Sequence, residues 1–286
     1  MDTYWKLKIK MTDFLKRTKI GFKKYGSIFR ISLVNILEYR INFFVGRIRN
    51  LIVLLTLYFL WHSIFPAQGK LFGYSQDQIF TYVFAIHLLR SLVLNTNTAG
   101  IAAEISYGGK FFSYLLKPIS YLKYWFSVDL AYKLIDFSFA LLEVFLVIYI
   151  FKISIYLAPD PSFWILAAIS ITFALLLNFY LGYFVALIAF WTPQAWGPRF
   201  LFDLLLSFSA GAFFPLDVFP KGAQIIFNAL PFPYLLFFPV SIFLGRVSPI
   251  GIVTGFLITL SWIAILYFAI RYVWRKGLEI YEGGGI

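Results

Sequence analysis

Five charged side chains interrupt segments that are otherwise apolar, and these side chains are the ones most able to do chemistry. They are Arg90, Asp129, Lys133, Asp136 and Glu143. A charge within a membrane span is energetically costly and often marks the path of an ion or a substrate. Lys133 follows Asp129 by four residues and precedes Asp136 by three, so the three lie on one helix face and can neutralise one another. We therefore interpret this trio as structural, near the inner interface.

Glu143 lies deeper in the same segment and has no charged partner at helical spacing. Two roles are compatible with it. We favour an ion pair between adjacent spans, of Arg90 with Glu143 or of Arg90 with Asp136. The alternative is that Glu143 faces a substrate path, which would suit a cationic substrate. His87, three residues before Arg90, is interpreted as a hydrogen-bonded core histidine.

Several kinds of site are excluded by what the chain lacks. The sequence contains no cysteine, which excludes disulfides, thiol nucleophiles and cysteine-ligated metals. Its two histidines, His62 and His87, lie far apart and cannot form a metal site alone. No GxxxxGK(S/T) phosphate-binding loop occurs, because Gly69-Lys70 and Gly109-Lys110 are each followed by an apolar residue. The sequence therefore predicts no metal, no cofactor bound by this chain and no ATP bound through such a loop.

The composition is that of a membrane protein. Hydrophobic residues make up 61% of the 286 residues and charged residues only 13%, whereas soluble domains average about 45–50% and about 25%. The pattern predicts an all-α integral membrane protein with six transmembrane helices, each near the ~20 residues that a bilayer requires. We place these spans at 48–65, 79–98, 125–151, 163–190, 200–214 and 250–272. Residues 1–47 form a basic cytoplasmic and interfacial segment, and residues 48–286 form the six-span domain.

Basic residues are concentrated near the N-terminus. The first 49 residues hold 12 of the 25 lysines and arginines, interleaved with apolar residues at roughly helical spacing. This pattern predicts an amphipathic interfacial helix beside anionic lipid rather than a nucleic-acid-binding domain. With both termini in the cytoplasm, the inner segments carry 19 basic residues and the outer segments four, as the positive-inside rule requires. The N-terminus has no compact apolar core or cleavage site of a signal peptide.

The inner loop 103–124, between the second and third predicted spans, carries a short apolar cluster. Gly108-Gly109 is a turn signal, and Pro118 ends the cluster that follows it. A short amphipathic helix on a small loop suits docking into a partner's groove, while lying on the lipid headgroups is an equal alternative. The residues expected to contact a partner are Glu104, Gly108, Gly109, Phe111, Phe112, Leu115, Leu116, Lys117 and Pro118.

The segment 213–247, before the last span, is strongly apolar yet rich in proline. An interior proline removes a helix hydrogen bond, so one straight spanning helix is not expected here. Irregular backbone is excluded from lipid unless it is buried in protein or lines a cavity. We therefore predict a re-entrant pair of short helices at the outer face, and the alternative is an extramembrane loop. The residues assigned to this hairpin are Pro215, Asp217, Pro220, Pro231 and Pro233, with Pro231-Phe232-Pro233 as its turn.

Small residues punctuate the last two predicted spans. Gly251 and Gly255 form a GxxxG pattern near the outer end of the sixth span, and Ser207 with Gly211 makes a similar pair in the fifth. Such stripes let helices approach closely. These stripes permit close packing of helices either within one subunit or between two subunits.

These features, in this order, resemble the type 2 family of ABC exporter permeases in its six-span bacterial branch. The resemblance covers most of the chain. EISYGGKFFSYLLKPIS is similar to the family's cytoplasmic coupling helix, and GAFFPLDVFP with the later LPFPY and FLG is similar to its outer re-entrant helices. The run Tyr39-Arg40-Ile41-Asn42-Phe43 is similar to the family's approach to the first span.

The resemblance implies a permease subunit in the bacterial cytoplasmic membrane that exports a hydrophobic or amphipathic substrate, such as a drug, a lipophilic cation or a lipid-like molecule. It implies a second permease, identical or homologous, and two cytoplasmic ATPase subunits that bind ATP and magnesium. In such a dimer the central path lies largely between spans two and five. Membrane lipids are the other expected partner, and nucleic acid is not.

Two other classes of function remain open from the residues alone. An ion-coupled secondary transporter would need an unpaired acid at mid-membrane, for which Glu143 is a weak match. A lipid-modifying membrane enzyme would need histidines or acids clustered at one interface, and the acids here are scattered. We treat both as alternatives to the permease.

Overall fold

A computed structural model describes residues 23–36, 38, 40–65, 69–107, 109–192 and 196–281. In this described part the structure is helical, and its only β-type pairing is an isolated bridge between Leu71 and Tyr74. The expectations for residues 1–22 and for Gly108 lie outside the described residues.

The described helices are numbered in chain order. The first, α1, covers residues 23–36. The others are α2 Arg40–Ile64, α3 Gln76–Leu89, α4 Thr98–Tyr107, α5 Gly109–Leu115, α6 Tyr121–Phe151, α7 Ser162–Ala186, α8 Trp196–Ser209, α9 Lys221–Ala229, α10 Phe237–Phe243 and α11 Pro249–Ile280. A π-helical turn, Arg90–Leu94, continues α3, and a 3₁₀ turn, Leu187–Phe190, continues α7.

Five helical stretches of the described chain are long and apolar enough to cross a membrane. They are Phe43–Ile64, Gln76–Ser106, Tyr121–Phe151, Ser162–Phe190 and Pro249–Ile280. Each overlaps one of the predicted spans, so the prediction of an all-α, multi-pass membrane protein is confirmed in its coarse form.

The predicted fifth span, 200–214, does not appear as a long helix. Its helix α8 has 14 residues, which is about 21 Å at the usual rise, and it ends at Ser209. Gly211 follows with φ of +80°, a left-handed conformation that favours glycine. A Cβ at Gly211 would lie 2.9 Å from the hydroxyl of Tyr82, so the chain turns closely against α3 here.

Two short helices, α9 and α10, follow this turn, as the prolines predict. Pro220 stands immediately before α9, where a missing N–H costs nothing, and a 3₁₀ turn, Phe232–Tyr234, separates α9 from α10. Pro231 immediately precedes that 3₁₀ turn, and Pro233 is buried within it. The position of this pair relative to the membrane stays a prediction.

Helices α3 and α7 form the centre of the molecule. Helix α7 packs against α4, α10 and α11, and its small and aromatic residues join two apolar cores. The larger core includes Leu54 and Tyr82. The smaller one, around Phe111 and Tyr183, lies at the end of the bundle that carries the inner loop.

The GxxxG pattern packs within the subunit. A Cβ on Gly255 would lie 2.2 Å from Cζ of Phe238, so this glycine lets α11 touch α10. A Cβ on Gly251 would instead meet Val247, in the turn that starts its own helix. The close approach therefore fastens the last span to the proline-rich segment of the same chain.

Candidate functional site

A buried ion-pair network joins α2 to α6. Arg47, which is 5% exposed, donates from Nη1 to Asp136 at 2.6 Å and from Nη2 and Nε to Glu143 at 2.6 and 2.8 Å. The contact with Glu143 is the bidentate fork that arginine makes with a carboxylate. The expected partner of both acids was Arg90, and that prediction is wrong. Because Arg47 lies 89 and 96 residues away along the chain, sequence spacing gives no signal for this pairing.

Glu143 has a second partner in the adjacent helix. Nε2 of His87 lies 2.9 Å from Oε2 of Glu143, which agrees with the interpretation of His87 as a hydrogen-bonded core histidine. Glu143 is therefore held by two basic side chains. These contacts contradict the interpretation of Glu143 as an unpaired acid, and the suggestion that it faces a substrate path stays a prediction.

Lys133 and Asp129 form the predicted pair on α6, at 3.1 Å, and both side chains are buried. Lys133 also donates to the backbone carbonyls of Val93 at 2.7 Å and of Asn95 at 3.2 Å. Its other expected partner, Asp136, is occupied by Arg47. The role of Lys133 is therefore to satisfy backbone oxygens of the neighbouring span as well as an acid on its own helix.

These contacts supply hydrogen-bond partners at a break in the helix of the second span. The π-helical turn ends at Leu94, and residues 95–97 are not helical before α4 begins at Thr98. Asp129 accepts hydrogen bonds from Thr96 Oγ1 at 2.7 Å and from the backbone N–H of Asn97 at 2.9 Å. Since unsatisfied backbone groups are costly within a membrane, this break requires partners of the kind that α6 supplies.

The prediction of one uninterrupted span at 79–98 is therefore wrong. The missed signal is the run Asn95-Thr96-Asn97-Thr98, in which every side chain can compete with helical backbone hydrogen bonds. Four such residues in an apolar segment favour an interrupted helix.

A cavity of about 490 Å³ lies beside the break. Its walls come from α2, α3 with its π turn, α6, α7 and α8. The polar lining includes Arg49, Arg90, Asn95, Asn178, Arg199 and Asp203. The volume is within the range of small-molecule sites, about 300–1,000 Å³. The three arginines supply the positive charge of the cavity lining.

The three arginines differ in how well they are satisfied. Arg199 donates to Thr98 Oγ1 at 2.9 Å and lies 3.6 Å from a carboxylate oxygen of Asp203. Arg90 has no acidic partner among the described residues, and its Nη1 is buried without a hydrogen-bond acceptor. Its guanidinium lies 5.6 Å from the ring centroid of Phe213. Arg90 is thus a half-buried cation that lies over an aromatic ring and has no acidic partner among the described residues.

The inner loop places a short apolar surface at one end of the bundle. Phe112 is 53% exposed, Leu115 41% and Leu116 75%. Phe111 points the other way and is fully buried, with ring centroids 5.0 Å from Tyr281 and 5.2 Å from Tyr121. Of the predicted contact residues, Phe111 is therefore an anchor of α5, while its neighbours form the exposed face.

Polar contacts fasten this loop to its surroundings. Lys24 on α1 donates to the carbonyl of Pro118 at 2.7 Å, and the backbone N–H of Ser120 donates to the hydroxyl of Tyr25 at 3.1 Å. The hydroxyl of Tyr121 donates to Glu104 at 2.9 Å. Lys117 is exposed, with its ammonium 5.1 Å from the ring centroid of Tyr114. Helix α1 thus braces the segment that presents the exposed face.

At the opposite end of the bundle, a three-residue cluster ties the proline-rich segment to the turn before α3. The hydroxyl of Tyr74 lies 2.9 Å from both carboxylate oxygens of Asp217. Arg246 donates to Asp217 at 3.1 Å and stacks 3.6 Å from the ring centroid of Tyr74. Burial and the negative charge of Asp217 raise the pKa of Tyr74, so its hydroxyl stays protonated and donates.

Within that segment, side chains donate hydrogen bonds to backbone carbonyls that lie close to the prolines. Gln224 donates to the carbonyl of Phe219 at 2.7 Å, and Tyr234 donates to the carbonyl of Asn228 at 2.7 Å. Pro215 is buried just before a 3₁₀ turn. Burial among protein groups is the condition under which irregular backbone is tolerated at membrane depth.

No group of three or more histidine or acidic residues in the described part of the chain could hold a metal ion. Comparison with known proteins gives one match. The model of a family described as ABC-2 family transporter protein matches residues 51–285. No curated protein and no solved structure is significantly similar to the chain.

Proposed function

Since this chain belongs to the ABC-2 family of transporter proteins, we propose that it is the membrane-spanning permease subunit of an ATP-driven exporter. It moves a hydrophobic or amphipathic substrate out of the cytoplasm or the inner leaflet. The chain itself performs no hydrolysis, and a separate cytoplasmic ATPase supplies the energy.

The observation that carries this proposal is the exposed apolar face of Phe112, Leu115 and Leu116 on a short, braced inner loop. Such side chains are costly to leave in water, and an amphipathic helix of this kind fits the groove of a partner. The sequence has no phosphate-binding loop of its own. A docking surface on a chain without such a loop is what a permease that depends on a separate ATPase requires.

The assembly we propose contains two permease subunits, identical or homologous, and two ATPase subunits that bind ATP and magnesium. The chain lies in the bacterial cytoplasmic membrane with both termini in the cytoplasm. Helix α8 with the turn after it serves as the fifth of six spans, and α9 with α10 forms the outer re-entrant hairpin. The uneven distribution of basic residues supports this orientation.

Alternating access is the mechanism that we propose. The cavity beside the interrupted second span opens inward to take the substrate and outward to release it. The break at residues 95–97 lies between that cavity and α4, which leads to the coupling loop. Movement of α5 by the ATPase would therefore reach the cavity through α4.

The two alternative classes gain no support from the contacts. An ion-coupled transporter needs an unpaired acid, and Glu143 is held by Arg47 and His87. A lipid-modifying enzyme needs catalytic side chains that are free to react, and the histidine and acids that line the cavity are held in pairs, His87 with Glu143, Asp136 with Arg47 and Asp203 with Arg199.

Purification from the native membrane in a mild detergent, followed by mass spectrometry, tests the proposed function. We expect an ATPase subunit to remain bound in stoichiometric amount, and the spectrum would also count the permeases. Replacing Phe112 and Leu115 by glutamate should release the ATPase while the permease stays folded. A folded permease that never retains an ATPase would overturn the proposal.

A further inference from the structure

We propose that the cavity beside the interrupted span binds the anionic headgroup of an amphipathic molecule, with Arg90 as its principal ligand. The headgroup is a carboxylate or a phosphate, and an apolar chain is attached to it. This inference deepens the proposed function and rests on it, since it assigns the substrate class of the same permease.

Arg90 carries a charge that the protein leaves unbalanced. Its Nη1 is buried with no acceptor, and no acid among the described residues forms an ion pair with it. A partly buried cation of this kind is unfavourable unless an opposite charge reaches it. Guanidinium groups bind carboxylates and phosphates through two parallel hydrogen bonds. An anionic ligand would therefore supply the opposite charge and the hydrogen-bond acceptor that Arg90 lacks.

The other charges around the cavity do not supply that anion. Asp136 is bonded to Arg47 at 2.6 Å, and Asp203 lies 3.6 Å from Arg199. Arg49, also in the lining, makes no ion pair with a described residue. Because both acids in the lining already have an arginine partner, the unpaired charges of the cavity are those of Arg49 and Arg90, which repel a cation and attract an anion.

The rest of the wall explains why the ligand is amphipathic. Val53, Leu57, Phe202 and Leu206 line the same cavity from α2 and α8. A ligand with only a charged group would leave these side chains against water. A volume of about 490 Å³ accommodates a headgroup with part of an apolar chain, because sites for drug-sized molecules fall in this range.

The backbone around Arg90 is also unusual. Arg90 opens the π-helical turn, whose bond runs from the N–H of Asn95 to the carbonyl of Arg90 at 3.0 Å. Such turns are rare and occur frequently at functional sites. The turn changes the direction of side chains relative to a regular helix, and it brings Arg90, Ser91 and Leu94 to the cavity.

Fluorescent titration of the full-length permease in nanodiscs tests this site. The ligands are dansyl-undecanoate and its methyl ester, which differ in the charge of the carboxyl group and by one methyl group. We expect the acid to bind more tightly than the ester, and Arg90→Gln to weaken binding of the acid by about tenfold or more while leaving the ester unchanged. Arg90→Lys should retain part of the preference for the acid.

The matched control is Arg271→Gln, which removes an equal charge from an exposed site on α11 and should not alter binding. Equal affinity of the acid for wild type and Arg90→Gln would overturn the proposal, as would equal affinity of acid and ester for wild type. Displacement of the acid by inorganic phosphate as effectively as by unlabelled undecanoate would overturn its amphipathic part.

This experiment needs no ATPase. A failure to bind the acid would therefore leave the pairing with an ATPase intact, and a failure to retain an ATPase would leave the binding result intact. If Arg90→Gln does not fold, the comparison of acid with ester in wild type and Arg90→Lys still decides the question.

Discussion

Arg47 and Arg90 are the same residue type in neighbouring helices, yet their surroundings assign them opposite roles. Arg47 is bonded to two acids, so removing it leaves Asp136 without its ion-pair partner and Glu143 with His87 alone. Arg90 has no acid partner among the described residues, so its removal leaves no described acid unpaired. Breaking a buried pair by removing one partner typically costs about 3–5 kcal/mol.

We therefore predict that Arg47→Gln lowers the free energy of unfolding by about 3–5 kcal/mol. Arg90→Gln should not lower it. Denaturant titration of the purified permease in detergent measures both, with Arg271→Gln as the surface control, expected to change stability by no more than about 0.5 kcal/mol. Equal losses for Arg47→Gln and Arg90→Gln would contradict the distinction.

At this scale the sequence predicts local partners and misses distant ones. The Asp129–Lys133 pair is predicted because four residues on a helix bring side chains together whatever the tertiary structure. The Arg47 pairs depend on how α2 packs on α6, and Arg47 lies near the start of its span, where a basic residue is expected to remain at the interface. No spacing rule distinguishes a snorkelling arginine from a buried one.

At the scale of elements, adjacent residues of the inner loop have different roles, one buried and one exposed. Phe111 holds α5 to the bundle through an aromatic cluster with Tyr121, Trp274 and Tyr281. Phe112, one residue later, is exposed. The sequence predicts that the cluster binds a partner, but it does not say which side faces inward, because the helix is too short for a periodicity to decide.

We predict that Phe111→Ala destabilises the isolated permease by about 3–5 kcal/mol, because it empties a buried site. Phe112→Ala should change the stability by less than about 0.5 kcal/mol and should instead weaken retention of the ATPase. Thermal unfolding and affinity purification of both variants give the two readouts. A loss of ATPase retention in neither variant, or equal losses of stability, would contradict this division.

In the proline-rich segment, too, the sequence predicts the local structure but not the contacts between distant residues. Its prolines predict an interrupted pair of short helices, because each proline ends or starts a helix for steric reasons, and α9 and α10 are present. The contacts of Asp217 with Tyr74 and Arg246 join residues 143 and 29 positions apart. Such contacts follow from the packing of whole elements, which sequence spacing does not give.

At the scale of the whole molecule, composition alone predicts the fold class. Three of the five long helical stretches coincide with predicted spans to within five residues at each end, because an apolar run about as long as the bilayer is thick is typical of a transmembrane helix. The second and the last stretches each extend eight residues beyond the predicted end, to Ser106 and Ile280, and the second does so across a polar break. Its partners come from α6 and α7.

The absence of cysteine makes the proposed orientation directly testable. Phe72 is exposed in the turn before α3, and Leu116 is exposed after α5, at the opposite end of the bundle. We predict that Phe72→Cys reacts with a membrane-impermeant maleimide on intact spheroplasts and that Leu116→Cys reacts only after permeabilisation. The reverse pattern would mean that the topology is inverted.

Photo-crosslinking in cells tests most directly the central claim, that this permease is driven by a separate ATPase through its inner loop. The photoreactive residue p-benzoylphenylalanine is placed at Phe112 and, as the matched control, at Phe72, which are similarly exposed at 53% and 58%. We predict that only position 112 crosslinks to a protein with a phosphate-binding loop, identified by mass spectrometry. Failure of position 112 to capture an ATPase, with the permease folded and inserted, would contradict the claim.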